Sequence, residues 1–184
     1  MEHYTPKCPM IILYKNSIIP SVGGIKDINN TFKIATLNVT GINTSFKQQQ
    51  ILNYMKINKI NILTLTETKL KTNSVNILYK KDDVNSCANI LYKNDDVNSW
   101  WECDDNNHFS NGVGIIMDNT IAKHVQIVKG YFGRLLHVKL FVKGNIRLSI
   151  LVIYNYANNA EKENTIELYK EIERIIKEEL RFNA

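Results

Sequence analysis

Apolar and polar positions alternate along much of the chain in short, bounded runs. The segment Phe32-Lys33-Ile34-Ala35-Thr36-Leu37-Asn38-Val39 is mostly apolar and ends at turn residues, which predicts a strand. Gly41 to Thr44 then turns the chain. Ser45 stands where a helix cap belongs, and Ile51, Leu52, Met55 and Ile57 recur at helical spacing behind it. A second apolar run, Ile60 to Thr66, ends on Glu67. Strand, helix, strand predicts a right-handed crossover with the two strands parallel in one sheet. Further on, Asn111 to Met117, His124 to Val128, Leu135 to Val142 and Arg147 to Tyr154 read as strands. The turns Asp118-Asn119, Lys129-Gly130 and Lys143-Gly144-Asn145 separate them, as in an antiparallel meander. The last element is an amphipathic helix from about Glu161 to Leu180, with Ile166, Tyr169, Ile172, Ile176 and Leu180 on one stripe.

Residues 1–30 carry no clear periodic element. They hold all three prolines and the pair Gly23-Gly24, and read as an extension or linker leading into a domain over 31–184. Between the second strand and the β-rich part the chain repeats itself. Asn76 to Ser86 reads NILYKKDDVNS and Asn89 to Ser99 reads NILYKNDDVNS, differing only at Lys81 against Asn94. Two copies so alike predict a tandem duplication in a surface loop over 76–99, because loops absorb insertions at low free-energy cost. The pairs Asp82-Asp83 and Asp95-Asp96 then read as solvated loop charges and not as metal ligands.

The 184 residues are 44% hydrophobic and 22% charged, enough apolar surface for one ordinary core. The formal charge of +5 suits a polyanionic partner, although the lysines are spread along the chain and form no cluster. Cys8, Cys87 and Cys103 share no metal-type spacing, and their odd number argues against a disulfide framework. They read as reduced thiols in an intracellular protein. No apolar run reaches the length of a membrane span, and the N-terminus has no secretory pattern.

Two polar residues stand at strand ends. Asn38 lies near the end of the first strand and Glu67 closes the second, so a parallel pair brings both to one sheet edge. A carboxylate beside an amide is the beginning of an oxygen-ligand Mg²⁺ site. Spacing alone leaves the other reading open, an Asn capping a turn and a Glu ending a strand in water.

Five segments add a resemblance. Ala35-Thr36-Leu37-Asn38-Val39-Thr40-Gly41-Ile42 resembles the opening strand motif of the endonuclease/exonuclease/phosphatase superfamily (the deoxyribonuclease I-like fold), written T-x-N-V-N-G-L/I. Leu65-Thr66-Glu67-Thr68-Lys69-Leu70 looks like its L-Q-E-T-K/H-L motif, with Thr66 in place of the usual Gln. Asn111 to Ile116 is similar to its G-V-A/G-I-L-I strand, Gly133-Arg134-Leu135 to its G-R-hydrophobic step, and Ile153 to Asn159 to its I-Y-A-P-N strand end. The segments come in the family's order and most resemble the apurinic/apyrimidinic-type endonuclease of LINE-like non-LTR retrotransposons. Carried over, Glu67 corresponds to the family's Mg²⁺-binding carboxylate and Asn38 to the Asn that helps build the metal and phosphate site. One of Tyr154 or Tyr156 corresponds to the tyrosine lining that site. Arg134 reads as a structural hydrogen-bond donor more than a phosphate contact, and Asn158 replaces the usual proline.

The resemblance implies an α/β (α+β) fold, the first half of a four-layer α/β/β/α sandwich, with one mixed sheet covered by two helices. It implies Mg²⁺ (or Mn²⁺) as cofactor, DNA as partner, no membrane, and a nuclear place of action for a retroelement endonuclease. The family's water-activating groups belong to a Gly-Asp-Phe-Asn strand end, a later Asp and a Ser-Asp-His, none of which this sequence contains. The expectation is therefore a truncated phosphodiesterase domain, inactive alone, whose uncovered sheet face promotes self-association. The alternatives are a phosphatase or exonuclease of the same superfamily, and a non-catalytic nucleic-acid-binding or interaction module.

Overall fold

The computed structural model describes residues 10–17, 33–71, 96–104, 111–142, 146–156 and 161–181. The fold is mixed α/β, with two four-stranded sheets and three helices among these residues. In chain order they are β1 (Met10–Ser17), β2 (Ile34–Asn38), α1 (Ser45–Ile57), β3 (Ile62–Thr66), β4 (Val97–Glu102) and β5 (Val113–Asp118). A short α2 (Asn119–Ala122) follows, then β6 (Val125–Tyr131), β7 (Leu135–Val142), β8 (Ile146–Ile153) and α3 (Lys162–Arg181).

The mixed sheet has the order β2-β3-β5-β4. The crossover through α1 makes β2 and β3 parallel, in a register running from Ile34–Ile62 to Asn38–Thr66. The other pairs of this sheet are antiparallel. Every residue of β3 is buried, and its side chains divide by parity. Leu63 and Leu65 join Ile51, Leu52 and Met55 of α1 in one core, with Trp101 and Ile116. Ile62 joins the opposite core with Val113, Ile115 and Met117 of β5. Gly114 is required on β5 because a Cβ there would stand 2.2 Å from the Trp101 ring.

The second sheet has the order β1-β8-β7-β6 and is antiparallel throughout. Leu136, Val138 and Leu140 of β7 and Leu148, Ile150 and Val152 of β8 pack against the β5 residues just named. The residues of opposite parity, Leu135, Leu151 and Ile153, pack against Leu168, Ile172 and Ile175 of α3. Each fully buried side chain of this size contributes about 1.5–3 kcal/mol.

Several expectations are corrected. There are two sheets where one was expected, because β5 leaves the meander: Asp118 caps α2 by accepting from the Ile121 N–H and so does not close a hairpin. The face expected to lie bare and drive self-association is covered, since β7 and β8 fill it. The segment 1–30 supplies β1, paired with β8 from Met10–Ile153 to Ser17–Ile146. Val97-Asn98-Ser99, the end of the second repeat copy, is strand and not loop; the rest of the repeat, including both Asp pairs except Asp96, lies outside the described residues. The buried stripe of α3 is Leu168, Ile172 and Ile175, while Ile166, Tyr169 and Leu180 are exposed. Thr44, one residue before Ser45, caps α1 by accepting from the Lys47 N–H. Among the described residues no helix is long and apolar enough to cross a membrane.

Candidate functional site

The ends of β2 and β3 continue past their regular ladder as clamped, irregular backbone. Val39, Gly41 and Ile42 donate their N–H groups to the carbonyls of Thr66, Glu67 and Thr68 at 3.0, 2.7 and 2.9 Å. From the other side, Thr68 and Lys69 donate to the carbonyls of Gly112 and Asn111 at 3.1 and 3.0 Å. Held from both flanks, Glu67 and Lys69 adopt left-handed backbone with φ of +57° and +55°. Such conformations are costly for residues with a Cβ and persist only where the surroundings impose them. Gly112 completes the clamp at φ +100°, where an added Cβ would meet Thr68 Oγ1 at 2.3 Å.

This backbone brings three side chains together. Asn38 Nδ2 donates to Glu67 Oε2 at 3.1 Å. Lys69 Nζ lies 3.3 Å from Glu67 Oε1, with the Glu67 side chain only 15% exposed. Asn38 Oδ1 accepts from the Thr40 N–H at 3.1 Å and from the Thr40 hydroxyl at 3.3 Å, which fixes the amide orientation. The register partner of Asn38, Thr66, is buried, as is Thr68, and neither hydroxyl has a hydrogen-bond partner among the described residues.

The other sheet contributes at the same edge. Tyr154 follows β8, and its N–H donates to the Arg134 carbonyl at 2.8 Å. Its side chain is completely buried in the core shared by the sheets. Burial, reinforced by the nearby Glu67 carboxylate, pushes the phenol pKa up to about 12. Tyr156 goes elsewhere. Its ring stacks on the Arg134 guanidinium at 4.3 Å, with Tyr154 on the same cation at 4.9 Å. Arg134 is 4% exposed, donates from Nη1 to the Asn155 carbonyl at 3.2 Å, and is held below the usual arginine pKa by burial. It ties the end of β8 to the start of β7, the structural role read from the sequence.

The arrangement therefore brings Asn38, Glu67 and Tyr154 together and sets Tyr156 against Arg134. Lys69 and the two threonine hydroxyls were not assigned roles from the sequence. The Lys69 contact depends on two left-handed residues, which no periodicity announces. Among the described residues no group of three or more His, Cys, Asp or Glu side chains is placed to hold a metal ion. The donor set here is one hard carboxylate, Glu67, with the Asn38 oxygen committed to Thr40. Mg²⁺ keeps most of its waters and takes as few as one carboxylate, completed by substrate phosphate, whereas a single carboxylate falls short of the larger oxygen cage of Ca²⁺. The described histidines belong to other places. The carbonyl of His124 accepts from the Phe141 N–H at the far end of β7, and His137 lies on β7 against Ser149. A groove of about 370 Å³ bounded by Asn53, Lys59, Asn61 and Asp118 opens at the opposite end of the mixed sheet, where Asn61 and Asp118 flank the start of β3 and the end of β5.

No family model matches the chain, and no curated protein matches it.

Proposed function

We propose that the chain carries the metal-anchoring part of a divalent-cation-dependent phosphodiesterase site, with the DNA backbone as substrate. The observation that carries this reading is the Asn38–Glu67 pair, formed at the shared ends of two adjacent parallel strands and faced by the Tyr154 phenol from the other sheet. Its support is the match between these contacts and the roles implied by the resemblance to the endonuclease/exonuclease/phosphatase superfamily. The succession of α1, mixed sheet, antiparallel sheet and α3 across three separate cores is likewise the arrangement expected of that family's four-layer sandwich. A retroelement DNA-nicking endonuclease is the ancestry we favour.

Bound at Glu67, Mg²⁺ would stabilise developing negative charge on a phosphate oxygen. The protein's own groups have separable tasks. Asn38 holds the Glu67 carboxylate, and Tyr154 stays protonated in its vicinity. No described histidine reaches this edge to take a proton from water, and losing a general base costs about 10²–10⁴-fold in rate. On the resemblance, whose Gly-Asp-Phe-Asn and Ser-Asp-His motifs this sequence lacks, the chain is expected to bind Mg²⁺ and DNA but not to cleave.

The test is a titration of Mn²⁺ into the full chain, followed by the electron paramagnetic resonance signal of free Mn²⁺, for wild type and Glu67→Gln. Binding lost in Glu67→Gln supports the reading, and equal binding by both proteins sinks it. Plasmid nicking in Mg²⁺ would overturn the inactivity of the chain while leaving the metal anchor in place. The absence, among the described residues, of a group of three or more metal-ligating side chains also favours a second reading, a non-catalytic module that keeps the polyanion partner. Salt-dependent DNA binding that ignores both Mn²⁺ and Glu67→Gln would select it.

A further inference from the structure

The Glu67 carboxylate is already matched on both oxygens, by the Asn38 amide on Oε2 and by the Lys69 ammonium 3.3 Å from Oε1. The lysine is not a loose surface partner. Its backbone is pinned in a left-handed conformation by the Asn111 carbonyl, and its aliphatic stem lies where a Cβ on Gly41 would touch it at 3.6 Å. Lys69 is also the more exposed member of the pair, 29% against 15% for Glu67. Its ammonium can therefore turn outward while Glu67 stays in place.

We propose that Lys69 is the resident counter-ion of Glu67, and that it couples cation binding at Glu67 to the arrival of a phosphodiester. The inference rests on the metal-anchor reading above. A divalent cation at Glu67 brings a like charge beside Lys69, and the repulsion in this partly desolvated place opposes binding of the cation alone. A phosphate at the same edge gives the ammonium a new anionic partner and relieves that repulsion. Cation and phosphodiester then each strengthen the binding of the other, by the same factor in both directions. The site would fill on DNA and stay poorly filled off it.

The probes are Mn²⁺ alone, followed by paramagnetic resonance, and a fluorescent DNA duplex followed by anisotropy with and without Mn²⁺. The proteins are full-length wild type, Lys69→Met, Lys69→Asn, Lys69→Arg and Glu67→Gln, each checked by its thermal melt. Lys69→Asn is included because Asn tolerates the left-handed backbone at this position better than Met does. Removing the charge is expected to tighten Mn²⁺ binding without DNA by about tenfold. It is also expected to shrink the gain in duplex affinity that Mn²⁺ gives, while Lys69→Arg keeps the wild-type pattern. Mn²⁺ affinity unmoved or weakened in both neutral variants, with Glu67→Gln still abolishing binding, overturns the inference alone. Binding indifferent to Glu67→Gln overturns the metal anchor and this inference with it.

Discussion

The Asn38 amide donates to Glu67 Oε2 at 3.1 Å across a parallel strand pair whose regular ladder stops at Asn38–Thr66. The contact joins two residues on either side of α1 and, together with the Lys69 ammonium, satisfies a largely buried carboxylate. Removing that donor exposes the cost of burying the charge. Asn38→Ala is expected to lower stability by about 1.5–3 kcal/mol, the range for a hydrogen bond to a charged group. Urea midpoints for the two proteins measure it, and an unchanged midpoint would show that the pair carries no stability.

A second expectation concerns acid. His137 is buried under α3, with Nε2 2.6 Å from Ser149 Oγ and 3.7 Å from Glu179 Oε1, and Lys139 also contacts Glu179. Burial first, then Lys139, Lys129 and Arg174, lower its pKa to about 4, against a small opposing effect of Glu171. The unfolded chain therefore binds a proton near pH 6.5 that the folded chain refuses until about pH 4. Stability from this group is complete above the unfolded value and is lost as pH falls through that window, by about 3 kcal/mol in all. Unfolding free energies measured from pH 7 to pH 4 should fall more steeply for wild type than for His137→Gln. Parallel curves would refute the assignment.

The two apolar stripes of α3 give a third. Ile172 is buried against β7 and β8, whereas Leu180 is 49% exposed. Ile172→Ala should cost about 2–5 kcal/mol, and Leu180→Ala less than about 0.5 kcal/mol. Similar thermal shifts for both would mean that the helix is rotated from the orientation described.

The fourth rests on the closest approach within the mixed sheet. A methyl group at Gly114 would stand 2.2 Å from Trp101, itself completely buried. Gly114→Ala should destabilise by at least about 1–3 kcal/mol, the usual cost of overpacking. Trp101→Leu in the same chain should return part of that loss, and a double variant no better than the single one would deny that the ring is what the methyl meets.

Local elements were legible in the sequence wherever one face of the pattern met one partner. The crossover β2-α1-β3 could be read because Ile51, Leu52 and Met55 form one helical stripe beside two short apolar runs. Partnerships between distant segments were not. The apolar residues of β1 are interrupted by Tyr14 and Lys15, and its partner lies near the other end of the chain. On α3, Ile172 and Ile176 belong to two overlapping stripes, and only the sheet beneath decides that Leu168 and Ile175 complete the buried one. The candidate site divides in the same way. Asn38 and Glu67 declared themselves as polar strand ends. The approach of Tyr154 crosses from one sheet to the other, and the approach of Lys69 needs the left-handed pair, so neither had a local signature.

The strand β4 begins with the last three residues of the repeat, Val97-Asn98-Ser99, and the same three residues occur earlier as Val84-Asn85-Ser86. The chain thus encodes two equivalent beginnings for a single edge strand, and backbone pairing with β5 alone would accept either. What distinguishes them is the continuation. Only the second is followed by Trp100-Trp101-Glu102, and Trp101 fits over Gly114 with no exposed surface, while the first runs on into Cys87-Ala88. A slip of one repeat unit would put Ala88 where the indole belongs and leave a void beneath α1. One tryptophan against one glycine therefore acts as a proofreading device, choosing between two copies of the same word.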